Sequence, residues 1–207
     1  MRRTEEEWEI SFEALVQDFL THEFAAVPDF IPSALVGQLR ADLQERLETG
    51  QMKPAGIGQH LQFQHNTAIR GDSIFWLDPS NITGAESAYL DILDQLMRYL
   101  NETCYTGLNG HECHYARYDT GSFYKRHLDQ FRSDTGRKYS VILYLNENWK
   151  EDYGGQLVIY KNNEAIRIRP EGGTLVFFQS DRLEHEVLPA MRPRMSVTGW
   201  LKKRHPS

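Results

Sequence analysis

The chain has 207 residues and a formal net charge of −6, and 40% of its residues are hydrophobic. These values are typical of one globular domain and argue against nucleic acid as a partner. No apolar run reaches the about 20 residues of a membrane-spanning helix, so no membrane partner is expected. The N-terminus carries Glu5, Glu6 and Glu7 and lacks the apolar segment of a secretory signal, so we expect a cytoplasmic protein.

Amphipathic spacing predicts three helices in the first hundred residues. A polar stretch with several Gly residues, 51–66, separates the second helix from the third and predicts a loop. The predicted helices are Trp8–Leu20, a leucine repeat (Leu35 to Leu47) that Ser33 caps and Gly50 ends, and Glu86–Leu100.

After Thr106 the pattern changes to short β-rich runs separated by turn residues. Helices followed by strands predict an α+β fold, in which a sandwich or jelly roll is supported by the N-terminal helices. We expect one domain, 1–207, with 1–105 as mainly helical support plus a loop and 106–204 as the β core. The predicted strands are His114–Tyr118, Tyr139–Asn146, Gln156–Tyr160, Ala165–Arg169, Thr174–Phe178 and Met195–Leu201.

Candidate metal ligands occur in the β half. His127 and Asp129 stand two positions apart, a spacing that directs both side chains to one face of a strand, and His185 follows a later strand. Two imidazoles and one carboxylate form the facial triad of non-haem Fe(II) oxygenases. A surface His beside a solvated Asp is the alternative. The helical zinc motif H-E-x-x-H and the hydrolase nucleophile elbow are both absent from the sequence.

The last predicted strand has an unusual polar face, which carries Arg194, Ser196, Thr198 and Trp200. This face either meets solvent or lines a cavity in which Arg194 binds a carboxylate. Tyr144 lies in an apolar strand, and its hydroxyl needs a partner if it is buried.

These residues carry a resemblance to a known family. His127-x-Asp129, His185 and Arg194 nine residues later resemble the Fe(II)- and 2-oxoglutarate-dependent dioxygenases. The segment Arg70-Gly71-Asp72-x-x-x-Trp76 is similar to one in the prolyl 4-hydroxylases related to the oxygen-sensing enzymes of hypoxia-inducible factor and in their bacterial relatives. The resemblance covers nearly the whole chain and implies a double-stranded β-helix (jelly roll) core.

The resemblance implies a catalytic domain that hydroxylates an exposed prolyl residue of a protein substrate. O₂ is consumed and succinate and CO₂ are released, with elongation factor Tu as the target in bacterial relatives. It implies Fe(II) and 2-oxoglutarate, and ascorbate as a further cofactor. Its metal ligands and catalytic residues are His127, Asp129 and His185, and its cosubstrate residues are Arg194, Tyr144 and Thr198. Candidates for substrate binding or lid closure are Arg70, Asp72, Arg137, Tyr118, Tyr124 and Trp200, with 51–70 as the lid and Val187, Leu157 and Phe177 as apolar walls.

Several alternatives stay open. The same chemistry can act on a small molecule or a lysyl residue, and a non-catalytic jelly-roll binding module can retain such a pocket. The Arg-Gly-Asp-x-x-x-Trp segment favours the prolyl hydroxylases over the first alternative. The complete ligand set with Arg194 favours an enzyme over the second.

Overall fold

Three helices lie in the part of the chain that the computed structural model describes, which is residues 3–56, 68–130 and 136–203. Each of the three amphipathic patterns is confirmed, and the helices extend a few residues beyond the predicted bounds. They are α1 (Glu5–His22), α2 (Ser33–Glu48) and α3 (Gly84–Cys104).

The helix starts differ in their caps. In α1 and α3 a threonine and a glutamate three residues later, Thr4 with Glu7 and Thr83 with Glu86, satisfy backbone N–H groups of the first turn reciprocally. The prediction that Ser33 caps α2 is wrong, because the residue before the helix is Pro32 and no side chain bonds to the first turn.

Eleven strands pair in the described residues, and every pairing is antiparallel. The six predicted strands are confirmed to within four residues at their ends, and five further strands were not predicted. In chain order, the eleven strands are β1 (Phe24–Val27), β2 (Lys53–Pro54), β3 (Asp72–Trp76), β4 (Gly110–Tyr118), β5 (Tyr124–His127), β6 (Arg137–Tyr144), β7 (Leu157–Lys161), β8 (Glu164–Ile168), β9 (Leu175–Gln179), β10 (Glu184–Val187) and β11 (Arg194–Lys202).

The strands form two sheets that enclose a jelly roll. The larger sheet has the order β1-β9-β6-β11-β4-β3-β2 and the smaller sheet the order β5-β10-β7-β8. The predicted α+β jelly roll with helical support is therefore confirmed. The division at residue 105 stays a prediction, and the structure adds that residues before it supply three strands of the larger sheet. None of the described helices is long and apolar enough to cross a membrane.

Alternation along the strands sorts the apolar side chains into two clusters. The outer cluster lies between the helices and the larger sheet and contains Phe177 and Val197. The inner cluster lies within the roll and contains Phe178, Leu157 and Val187. The predicted inner wall at Phe177 is therefore wrong, because the neighbouring Phe178 faces inward.

Gly199 allows close contact between two central strands. A Cβ atom there would lie 2.4 Å from Cys113 Sγ and 2.9 Å from the Glu112 carbonyl oxygen. We expect Gly199→Ala to lower the free energy of unfolding by about 1–3 kcal/mol through overpacking, measured by urea denaturation. Gly37→Ala is the control, since no atom lies within 4 Å of that Cβ position. Equal stability of Gly199→Ala and wild type would contradict the packing.

Candidate active site

Three potential metal ligands converge on the smaller sheet. His127 ends β5 and lies opposite His185 of β10, and Asp129 follows β5 by two residues. One ligand atom from each side chain lies within 4.8 Å of the other two. Each imidazole Nε2 is 3.5 Å from an oxygen of Asp129. Two nitrogens and one carboxylate at these separations fit Fe(II).

Backbone carbonyls orient both imidazoles. Nδ1–H of His127 donates to the Lys125 carbonyl at 2.6 Å, and Nδ1–H of His185 donates to the Leu183 carbonyl at 3.0 Å. With the proton on Nδ1, the lone pair of each Nε2 is directed toward Asp129 and is available to a metal.

The electrostatics of the three ligands favour a cation between them. Burial opposes the charge on Asp129, but His185 and His127 hold the pKa of its carboxyl well below the usual range. Burial lowers the pKa of His127, which favours the neutral imidazole that a metal requires. Burial also opposes charge on His185, but Asp129 raises its pKa above the usual value, so metal binding there releases a proton.

One buried serine holds the carboxylate of Asp129, and a second buried serine contacts the first. Ser140 Oγ donates to Asp129 Oδ2 at 2.7 Å and lies 2.9 Å from Ser180 Oγ. Both serines are fully buried. The sequence analysis missed them. The one signal for Ser140 is a polar residue at the start of an apolar strand.

A second cluster inside the roll has the chemistry of a carboxylate site. Arg194 is buried, and its Nε donates to the Gly155 carbonyl at 2.9 Å. Its guanidinium carbon lies 4.9 Å from the ring centroid of Tyr144 and 5.1 Å from that of Tyr118. The buried Tyr144 hydroxyl has no hydrogen-bond partner among the described residues. A buried hydroxyl beside a guanidinium fits a carboxylate ligand such as 2-oxoglutarate.

The predicted polar face of β11 is covered by the protein and does not meet solvent, because Arg194, Ser196 and Trp200 are buried. Thr198 is half-buried on the same face, and its Oγ1 lies 3.4 Å from Ser196 Oγ. The structure therefore brings Thr198 onto the face that carries Arg194.

The candidates for substrate contact fall into two groups. In the first, Arg70 makes two hydrogen bonds to Asp72, at 2.7 and 2.5 Å, and its guanidinium lies 4.3 Å from the Tyr124 ring centroid. Asp72 of β3 lies opposite Tyr118 of β4. Part of the predicted lid, residues 57–67, lies outside the described residues.

In the second group, Arg137 donates to Glu112 at 2.7 Å and lies 3.5 Å over the Trp200 ring. His114 packs between Trp200 and Trp76, with ring centroids 5.6 and 4.9 Å away, and Trp76 is 45% exposed. The sequence analysis left His114 without a role, because the aromatic cluster exists only through pairing of β3, β4 and β11.

Comparison with known proteins identifies the family. The model of the 2OG-Fe(II) oxygenase superfamily matches residues 113–202. The crystal structure of a Pseudomonas putida prolyl-4-hydroxylase is 40% identical, with a TM-score of 0.85, and the match covers 94% of this chain and 100% of that one. The chain belongs to the 2OG-Fe(II) oxygenase superfamily. It lies in its prolyl hydroxylase group, and the family uses Fe(II) and 2-oxoglutarate.

Relatives of this oxygenase include longer proteins. Human Egl nine homolog 1 is 31% identical over 92% of this chain, and the Caenorhabditis elegans hypoxia-inducible factor prolyl hydroxylase is 29% identical over 86%. The chain spans 46% and 26% of their respective lengths. A Trichoplax adhaerens prolyl hydroxylase, solved with a peptide of hypoxia inducible factor, is 29% identical with a TM-score of 0.85, covering 96% of this chain and 91% of that one.

Removing the hydroxyl of Ser140 tests the support of Asp129. We expect Ser140→Ala to weaken Mn(II) binding about tenfold, as is typical for loss of a hydrogen bond to a metal ligand. Ser140→Thr keeps the hydroxyl and should bind Mn(II) more tightly than Ser140→Ala. Titration followed by electron paramagnetic resonance of free Mn(II) measures both. Unchanged affinity in Ser140→Ala would show that the hydrogen bond does not matter to the site.

The burial of His114 predicts that the free energy of unfolding depends on pH. Burial lowers its pKa from 6.5 to about 4. In the unfolded chain the imidazole binds a proton below about pH 6.5, so protonation favours unfolding between pH 6.5 and 4. As the pH falls from 6.5 to 4, the free energy of unfolding should decrease in both proteins, and the decrease in His114→Gln should be smaller than in wild type by about 3 kcal/mol. Urea denaturation of the metal-free proteins measures it, and equal losses would contradict this effect of burial.

Proposed function

We propose that the protein is an Fe(II)- and 2-oxoglutarate-dependent dioxygenase that hydroxylates a prolyl residue of a protein substrate. The observation that carries the proposal is the combination of two built sites. A His–Asp–His donor set lies on the smaller sheet, and a buried guanidinium with a partnerless hydroxyl lies inside the roll. The first suits a metal with open positions, and the second suits a carboxylate cosubstrate.

We assign the metal ligands to His127, Asp129 and His185, which would hold a divalent metal and leave it open to further ligands. When bound, Fe(II) and 2-oxoglutarate supply the oxidation, in which O₂ is consumed, succinate and CO₂ are released, and a C–H bond gains an oxygen atom. The protein binds, orients and excludes water.

Arg194 would pair with the distal carboxylate of the cosubstrate, and the Tyr144 hydroxyl would donate to it. Thr198 would be a further donor from the same strand. Burial of Arg194 strengthens this pairing, since no water competes for the charge. The inward-facing Leu157, Phe178 and Val187 provide apolar walls.

The prolyl substrate is proposed from the relatives, whose names describe prolyl hydroxylases. Exposed Trp76 lies 6.2 Å from the ring centroid of the buried Trp200, and we propose this aromatic pair as the contact for a proline ring. Tyr118, Tyr124, Arg137 and the Arg70–Asp72 pair are proposed as further residues for substrate binding. As the protein target we propose elongation factor Tu, because the full-length structural match is to a bacterial enzyme. Ascorbate is proposed as an accessory cofactor.

Anaerobic reconstitution tests the function. The full chain is loaded with Fe(II) and 2-oxoglutarate, exposed to O₂ with elongation factor Tu, and analysed by mass spectrometry for a proline that gains one oxygen atom. Arg194→Ala should raise the KM for 2-oxoglutarate about 10- to 100-fold, since it removes a buried charged hydrogen bond.

Two outcomes separate the levels of the proposal. Succinate release that no proline-containing protein stimulates, with no oxidised proline, would exclude the prolyl assignment. No turnover of 2-oxoglutarate by the Fe(II)-loaded wild type, or full turnover by His127→Ala, would exclude the assigned metal site.

A further inference from the structure

Arg70 joins the two chain segments that flank residues 57–67. Its Nη1 donates to the Gly56 carbonyl at 3.4 Å, and its other nitrogens bind Asp72. The same stretch pairs with the residues before the candidate metal ligand. Gly71 N–H donates to the Phe123 carbonyl at 3.0 Å, and Lys125 N–H donates to the Ile69 carbonyl at 2.9 Å.

Three planar groups stack beside the metal ligands. The Arg70 guanidinium lies 4.3 Å from the Tyr124 ring centroid, and the rings of Tyr124 and His127 are 3.6 Å apart at an angle of 17°. Two planar groups cannot share one face of a ring at these distances. Arg70 and His127 therefore cover opposite faces of Tyr124, in a stack that we call the Arg–Tyr–His stack.

The two imidazoles differ in how the protein holds them. The His185 side chain is 4% exposed, and the ring of Phe178 contacts it from the inner cluster at 4.8 Å. The His127 side chain is 16% exposed, and Tyr124 covers one of its faces. His185 is thus fixed by the interior, whereas the orientation of His127 depends on Tyr124 and on what holds Tyr124.

The backbone of Lys125 provides a second connection between the segment of Arg70 and the imidazole of His127. The Lys125 carbonyl accepts the hydrogen bond from His127 Nδ1, and the Lys125 N–H binds the Ile69 carbonyl. The segment of Ile69 and Arg70 therefore reaches His127 by a hydrogen-bond route and by a stacking route. Both routes act on the ring plane of the same ligand.

We propose that Arg70 is a positioning residue for the metal ligand His127, acting through the ring of Tyr124. Divalent metal affinity then depends on Arg70, although Arg70 does not touch the metal. The inference rests on the proposed function through the metal site. It gives Arg70 a role beyond substrate contact or lid closure.

Mn(II) binding without 2-oxoglutarate or substrate tests the proposal on the full chain, with free Mn(II) measured by electron paramagnetic resonance. Arg70→Gln should weaken binding about three- to tenfold, at or below the lower range for residues that orient a metal ligand. Tyr124→Leu removes the aromatic ring and should also bind Mn(II) more weakly. In the Tyr124→Leu background, adding Arg70→Gln should have less than about a twofold effect.

Arg126 offers a matched control on the same strand. It donates to Glu184 at 2.9 Å and lies 3.9 Å over the Tyr160 ring, so it also has an ion pair and an aromatic contact, although its side chain is 50% exposed and that of Arg70 is 13% exposed. Tyr160 does not stack on His127 or His185. Arg126→Gln should therefore leave Mn(II) affinity unchanged, and a loss equal to that of Arg70→Gln would overturn the specific role of Arg70.

Wild-type affinity in Arg70→Gln, or an undiminished effect of Arg70→Gln in the Tyr124→Leu background, would overturn the proposal. If thermal unfolding shows that Arg70→Gln is not folded, Arg70→Lys takes its place, because it removes the planar guanidinium from the stack. Wild-type Mn(II) affinity of Arg70→Lys would then overturn the proposal. His127→Ala separates a failure of the proposed metal site from a failure of the proposed role of Arg70. Full Mn(II) binding by His127→Ala contradicts the proposed metal site, whereas its loss together with normal binding by Arg70→Gln contradicts only the role of Arg70.

Discussion

The carboxylate of Asp129 is a buried charge, and the surroundings of the site follow from that constraint. A buried carboxylate is costly unless hydrogen bonds or opposite charges compensate it. Here the compensation comes from both sheets, through Ser140 of β6 in the larger sheet and the imidazoles of β5 and β10 in the smaller one. The same contacts that compensate the negative charge of Asp129 also connect the two sheets at the proposed metal site.

The second buried charge, Arg194, is handled differently. One nitrogen of its guanidinium is held by the Gly155 carbonyl, and two tyrosine rings flank it. A cavity that places a fixed cation at one point and an anionic donor set at another is polarised. With a divalent cation on the donor set, this arrangement suits a ligand with a carboxylate at each end, because each end then finds a partner of the opposite charge. The apolar residues of the inner cluster complete the wall.

The sequence predicts the parts of this protein whose signal is local. Strands β4, β6 and β11 show clear apolar runs or alternation, whereas the polar face of β11 is compatible in the sequence with either solvent or a cavity, and only its burial decides between them. Strands β5 and β10 escaped prediction because they are four residues long and rich in charged residues: His127 follows Lys125 and Arg126, and His185 lies between Glu184 and Glu186. Ser140 and His114 were missed because their roles depend on which strands lie side by side, which a single sequence does not encode in any short window.

The pairing of β5 with β10 also has a consequence for the newly made chain. His127 and His185 become neighbours only when two strands far apart in the sequence meet, and such non-local pairings form late because loop-closure entropy opposes them. A nascent or misfolded chain would present single imidazoles in place of a chelating set. The proposed metal site is therefore complete only after β5 and β10 have paired.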